Sequence, residues 1–542
     1  MFNLEKYTIL VVDDFAQMRS TCRRMLQDFD PMKVDICGTG DEAIEMMRHN
    51  HYDIVLCDYN LGSGKDGQQV LEESRHEGIL EYASIFIMIT GENTKAMVMA
   101  AVEYEPDEYL TKPFTKEVLI KRLERIAARK QGLEHVGTAL RENDYEQATD
   151  TCDQLIKQHP KNAISLLKIK GKLLYQADKL DLAEQVYESV LAQHSLAWAH
   201  MGMGKVHFKR QDFNAAKAIF SQIIEESPNQ MEAYDWLAQT LAALDENQEA
   251  QDILQRASEL SPQVLIRRQR LADIALKNGD IAAAELATKA AVKLSEGSSF
   301  KRPEDFTNLA KILVEQKRDQ KAMQCLKQGR DNFNGQTDAM LQLNLSESNV
   351  HLTVNREAQA KQSLKNAMHI YKKQSHKEAI PTDTALSVAE ACMALGDTEM
   401  GTEVMVDVIE NNHENQAVIE RARVAFNNAG IVDMGEALIQ KSITRIANIN
   451  NDAAKLANEG HLDKAIALFV DAANKLPGNK VVNLNAAQAL LLNMKRNGFD
   501  SPQQLQCQNY LDQAKAIDAQ DSRYLKLLKQ LQSLNESNMV SS

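Results

Sequence analysis

Aromatic residues make up only 5% of this 542-residue chain, which also holds just 10 prolines and 23 glycines. So few rings and chain breakers argue against a strand-rich protein and predict much more helix than strand. Cysteine is sparse too. The seven cysteines are odd in number and no two lie closer than Cys22 and Cys37, fifteen residues apart, which excludes a disulfide framework or a zinc knuckle and points to a reducing compartment. No apolar run reaches 18 residues, and Met1 to Tyr7 has neither a basic nor an apolar stretch. Secretion and membrane insertion are therefore not expected, and the cytoplasm is the default location. Basic residues are in deficit, 62 against 76 acidic, for a net charge of −14. Such a balance repels a phosphate backbone, so nucleic acid is not an expected partner. Arg267, Arg268 and Arg270 form a local basic cluster that helical spacing explains as a solvated face.

What is present begins with a short β-branched run, Thr8 to Val12, ending in Asp13 and Asp14. Similar runs follow at Val34 to Cys37, Ile54 to Cys57, Ile85 to Ile89 and Glu108 to Leu110. Helical-period stretches such as Asp41 to Arg48, Gln69 to Arg75, Lys95 to Glu103 and Lys116 to Ile126 separate them. Alternation of this kind predicts a doubly wound, five-stranded parallel sheet. It brings Asp13, Asp14, Asp58, Thr90 and Lys112 to the carboxyl edge of that sheet, where open α/β folds bind ligands. Three carboxylates in one cleft repel each other and call for a hard divalent cation, Mg²⁺ or Mn²⁺. With that charge balanced, one carboxylate can attack a phosphoryl group while a hydroxyl and an ammonium meet the transferred oxygens.

The segments Ile9 to Asp14, Val55 to Asn60 and Asp107 to Phe114 together give residues 5 to 128 a resemblance to the receiver domain of bacterial two-component response regulators. The resemblance implies Asp58 as phosphoacceptor, with Asp13, Asp14, Asp58 and the backbone carbonyl of Asn60 as metal ligands. It implies Thr90 as switch hydroxyl, Tyr109 as the aromatic that moves with it, Lys112 as phosphate partner, and a cis peptide between Lys112 and Pro113. Asn60 and Glu92 are similar to the pair that tunes fast dephosphorylation in this family. Homodimerisation through Thr94 to Glu103 and Lys116 to Arg125 is the usual receiver option. The loop after the acceptor departs from the family: Gly62, Ser63, Gly64 and Lys65 make it looser and one residue longer. Gly62 to Lys65 is also half a phosphate-binding loop pattern, but Tyr59 stands where the first glycine belongs and Asp66 follows the lysine.

Beyond about Gln131 the strands stop. Pro160, Pro228 and Pro262 share a 34-residue register, and Ala148, Ala216 and Ala250 sit at matching positions upstream. The pattern resembles the tetratricopeptide repeat, clearest over 131 to 296 and 450 to 480, and predicts an all-α helical-hairpin solenoid. The domains read as 1–128 receiver, 129–296 repeats, 297–449 degenerate hairpins and 450–542 a final repeat with a capping helix, its tail from Asn535 fraying. The first helix of each hairpin lines a concave face in such stacks, which places Lys205, Phe208, Asp235 and Gln239 in a partner groove. Trp198 and Trp236 read as packing residues, and His49 and His51 as surface histidines. No second catalytic constellation follows, so no enzyme is expected beyond the receiver's own aspartyl phosphorylation and dephosphorylation. The reading is a phosphorylation-switched adaptor fed by a sensor histidine kinase or phosphotransfer protein, its repeats binding a protein the sequence does not name. The alternatives are a phosphate sink or kinase inhibitor, and a constitutive scaffold.

Overall fold

The computed structural model describes residues 4–91, 103–375, 380–519 and 521–541. Five short strands, β1 (Thr8–Val12), β2 (Lys33–Cys37), β3 (Ile54–Asp58), β4 (Ile85–Thr90) and β5 (Glu108–Thr111), form one parallel sheet in the order β2-β1-β3-β4-β5. Both faces of the sheet are covered, which is why β1, β3 and β4 read as unbroken apolar runs. Ile9, Val11, Leu56 and Ile87 pack on one side with Cys22 and Leu26 of α1 (Ala16–Gln27) and Leu119 and Leu123 of the helix Lys116–Lys130. Leu10, Val12, Val55 and Met88 pack on the other with Ile44 of α2 (Gly40–His49) and Val70 of α3 (Gly67–His76). The chain leaves β1 toward β2 on one side and returns to β3 on the other. That switch of direction opens a crevice at the carboxyl ends of β1 and β3.

Helices follow in pairs from Leu133. Ala148, Ala183, Ala216, Ala250 and Ala284 are all fully buried, one in each successive hairpin. Just upstream of each, at Asn143, Asp178, Gln211, Asp245 and Gly279, the backbone takes a left-handed conformation, with φ between 56° and 74°, that closes the preceding helix. Asp144, Asp212 and Asp280 then cap the next helix through their side chains. All seven cysteines are buried and free, and no described helix is long and apolar enough to cross a membrane.

The chain forms two compact units, Met1–Asp305 and Phe306–Ser542, so the sheet and the first hairpins share one unit. Three sequence expectations change. The boundaries at 128/129 and 449/450 both fall inside helices, Lys116–Lys130 and Val432–Asn458. The second of these runs 27 residues because neither glycine nor proline interrupts residues 436 to 459. The terminal helix, Ser522–Ser541, continues through the segment expected to fray.

Candidate functional site

Asp13 and Asp14 follow β1, Asp58 ends β3, Thr90 ends β4, and Lys112 follows β5. The ligand oxygens of Asp13, Asp14 and Asp58 lie within 4.8 Å of one another. Lys112 Nζ sits 2.7 Å from Asp13 Oδ2 and 2.9 Å from Asp58 Oδ2. Burial pushes the Asp58 carboxyl above its ordinary range; Lys112 pulls the other way, while Asp13 and Asp14 add repulsion. Lys112 is held as an ammonium, since its two carboxylate partners outweigh the cost of its burial. One ammonium against three carboxylates leaves the cleft short of positive charge. An all-oxygen donor set of that kind suits a hard divalent cation.

Local backbone contacts hold these groups in place. Phe15 N donates to Asp13 Oδ1 at 2.9 Å, and the Arg19 guanidinium donates to the carbonyls of Asp13 and Asp14 at 2.5 and 3.1 Å. At β3 the start of α3 packs directly on the acceptor, because a Cβ on Gly67 would lie 2.1 Å from the Asp58 carbonyl oxygen. Asn60 Oδ1 accepts from Gly62 N at 3.2 Å, and Gly62 and Gly64 take positive φ. Thr90 is buried, its carbonyl accepting from Lys112 N at 2.8 Å. Tyr109 pairs across the sheet with Met88, and the peptide between Lys112 and Pro113 is cis. Glu92, and residues 94 to 102 of the expected dimer face, lie outside the described residues.

The four expected groove residues lie on the helices Ala197–Lys209 and Met231–Ala243. Lys205 pairs with Glu232 at 2.5 Å and stands over Trp236. Phe208 packs edge-on against Trp236 and Phe213, and Gln239 donates to the Asp235 carbonyl at 3.1 Å. Asp235 is different. Its carboxylate receives Arg267 Nε and Nη2 at 2.9 and 2.7 Å, and the same guanidinium is ion-paired with Glu103 of the N-terminal domain.

Arg267 therefore does not belong to a solvated face: its side chain is fully buried between the repeats and the α/β domain. Sequence reasoning missed this contact, in which Ser261 Oγ also donates to Glu103 at 2.8 Å. Glu103 is thus engaged within the chain. Glu72 of α3 lies in the same region, where burial, with Asp66 and Glu103 nearby, pushes its carboxyl up to about 7. A folded-state value above the ordinary 4.5 means that the stabilisation from this group is complete below pH ~4.5 and lost as pH rises through about 7. Glu72→Gln is expected to raise the melting temperature at pH 8 and to leave it unchanged near pH 4; equal effects at both pH values would contradict this.

Residues 9–124 match the response regulator receiver domain, and residues 133–162 and 207–267 each match a tetratricopeptide repeat model. Over 121 residues the chain is 30% identical to chemotaxis protein CheY-3 of Vibrio cholerae, covering 22% of this chain and 92% of that protein. It is 29% identical over 124 residues to chemotaxis protein CheY of Pseudomonas aeruginosa, covering 23% of this chain and 98% of that one. Among solved structures, YrrB, titled a TPR protein with an unusual peptide-binding site, aligns at 21% identity over 36% of this chain and 97% of that chain, with a TM-score of 0.29. The chain belongs to the response-regulator receiver family, with its receiver at the N-terminus and tetratricopeptide repeats in the region behind it.

Proposed function

We propose that this protein accepts a phosphoryl group on Asp58 from a sensor histidine kinase or phosphotransfer protein and transmits the change through its repeats as altered protein binding. The observation that carries the reading is the acidic cluster with Lys112 at its centre, packed into the same compact unit as the first hairpins. Asp13, Asp14 and Asp58, with the backbone carbonyl of Asn60, would hold Mg²⁺ or Mn²⁺, which when bound neutralises charge on the phosphoryl oxygens.

In the transfer an Asp58 carboxylate oxygen bonds to phosphorus as the bond between phosphorus and the donor breaks, and the electron pair leaves with the donor. Lys112 moves from sharing Asp58 to meeting a phosphoryl oxygen, and Thr90 turns its hydroxyl toward another. Water later attacks the same phosphorus and releases inorganic phosphate, restoring the carboxylate. Displacement of Thr90, and of Tyr109 beside it, changes the domain surface near Glu103, which grips Arg267 of the repeats. The test is incubation of the intact chain with Mg²⁺ and a small acyl phosphate. One added phosphoryl group, mapped to Asp58, is expected; no incorporation, or incorporation elsewhere, would overturn the reading.

A further inference from the structure

The loop joining β3 to α3, residues 59 to 66, directly follows the acceptor and contains the part of the receiver that departs from its family. In the structure it meets a second loop, Ser295 to Phe300, from the repeats. A Cβ built on Gly297 would stand 3.0 Å from the Gly64 carbonyl carbon and 3.1 Å from both Gly64 O and Lys65 N. Two backbones approach closely there, and Gly297 also takes a φ of +74°.

Side chains reinforce the approach on both sides. Gln69 joins Asp66 in a reciprocal cap at the start of α3, its Oε1 accepting from Asp66 N at 3.0 Å, while its Nε2 donates to the Glu296 carbonyl at 3.1 Å. Ser299 Oγ donates to Glu73, whose carboxylate also holds Lys65 at 3.4 Å and Arg48 at 3.0 Å. Lys65 in turn bridges to Asp41 at 2.8 Å. Phe300 stacks edge-on against His76 at the far end of α3. The loop carrying the acceptor's neighbours is thus anchored at Gly64, Lys65 and Gln69 by residues more than 220 positions away in sequence.

We infer that the Glu296–Phe300 loop of the repeats is a positioning element for the receiver's own phosphoryl chemistry, holding the loop after Asp58 in the shape that presents the Asn60 carbonyl to a divalent cation. The inference rests on the phosphoacceptor reading above. Partners one step removed from a metal site orient the atoms that bind the ion, and losing one lowers metal affinity by about tenfold or more. Gly297 and Ser299 touch neither metal nor phosphate. They act through Gly64, Lys65 and Glu73.

The experiment measures inorganic phosphate released from a small acyl phosphate by the full-length chain as Mg²⁺ is titrated, with Asp58→Asn as the blank. Gly297→Ala and Ser299→Ala are expected to raise the Mg²⁺ concentration for half-maximal release, the first by about tenfold and the second by less. Ser299→Thr, which keeps the hydroxyl, is expected to restore it. A cooperative melt and an unchanged near-ultraviolet circular dichroism spectrum identify variants that remain folded. A merely structural role would lower the melting temperature without moving the Mg²⁺ midpoint. If release by the parent chain is Asp58-dependent and both alanine variants keep the parent midpoint, the inference is overturned. If release by the parent chain does not depend on Asp58, the phosphoacceptor reading itself fails.

Discussion

Asp58→Asn is expected to remove phosphoryl incorporation from acyl phosphate entirely, because the amide nitrogen and carbonyl oxygen left in its place cannot serve as the attacking carboxylate. The site should otherwise stay intact. Lys112 keeps its 2.7 Å contact with Asp13, and the neutral side chain relieves the crowding of three carboxylates that, with burial, pushes Asp58 upward. The variant should therefore fold at least as well as the parent chain in the absence of metal. Loss of labelling with an unchanged or raised melting temperature separates a chemical role from a structural one. Intact-mass spectrometry after incubation with acyl phosphate and Mg²⁺ checks the first, and thermal melting checks the second. Residual labelling of the variant at the parent level would place the phosphoacceptor elsewhere.

Arg267→Met is expected to be the most damaging single change outside the acidic cluster. The guanidinium is fully buried and satisfies two carboxylates, Asp235 by a two-point contact and Glu103 from the receiver. Removing one partner of a buried ionic cluster strands the others, at a cost of about 3–5 kcal/mol. For a unit of this size that corresponds to a fall of roughly 5–8 °C in melting temperature. Arg267→Lys should recover part of the loss, since an ammonium supplies charge but not the planar fork. As a surface comparison, Arg210 pairs with Asp181 and Glu184 in partial exposure, and Arg210→Met should cost no more than about 1 kcal/mol. Thermal unfolding followed by far-ultraviolet circular dichroism checks the series. Equal effects for Arg267→Met and Arg210→Met would mean that the receiver is not fastened to the repeats through Arg267.

Legibility in the sequence follows the range of the interactions. Asp13, Asp14, Asp58 and Lys112 could be placed together because each is tied to the end of a strand whose apolar run is local, and a parallel sheet aligns those ends. The repeats were readable for a similar reason: buried alanines such as Ala148, Ala216 and Ala250 recur from hairpin to hairpin. Arg267 was misread because a helical arginine shows the same local pattern whether it faces water or a carboxylate brought from another domain. Nothing near Arg267 in sequence announces Glu103, 164 positions earlier. The longer loop at Gly62 to Lys65 was visible as a departure, but its contact with Gly297 was not, since glycine there serves a close approach that only the fold reveals. The position 449/450 lies inside one long helix that packs on both the preceding and the following helix, and hairpin periodicity alone does not say where a helix is interrupted.

The most direct test uses the chain's two tryptophans, Trp198 and Trp236, both in the repeats and absent from the receiver. Trp236 follows Asp235, the residue that shares Arg267 with the receiver's Glu103, and it packs on Phe208 and Phe220. Tryptophan fluorescence of the full-length chain should be recorded on adding Mg²⁺ with beryllofluoride, a mimic of the phosphoryl group, to the parent and to Asp58→Asn. A saturable change in the parent chain alone is the predicted result, because occupation of a receiver without tryptophan would then be felt in the repeats. A spectrum that stays fixed while beryllofluoride binds at Asp58 would contradict the account, leaving the repeats indifferent to the state of the receiver that Arg267 contacts.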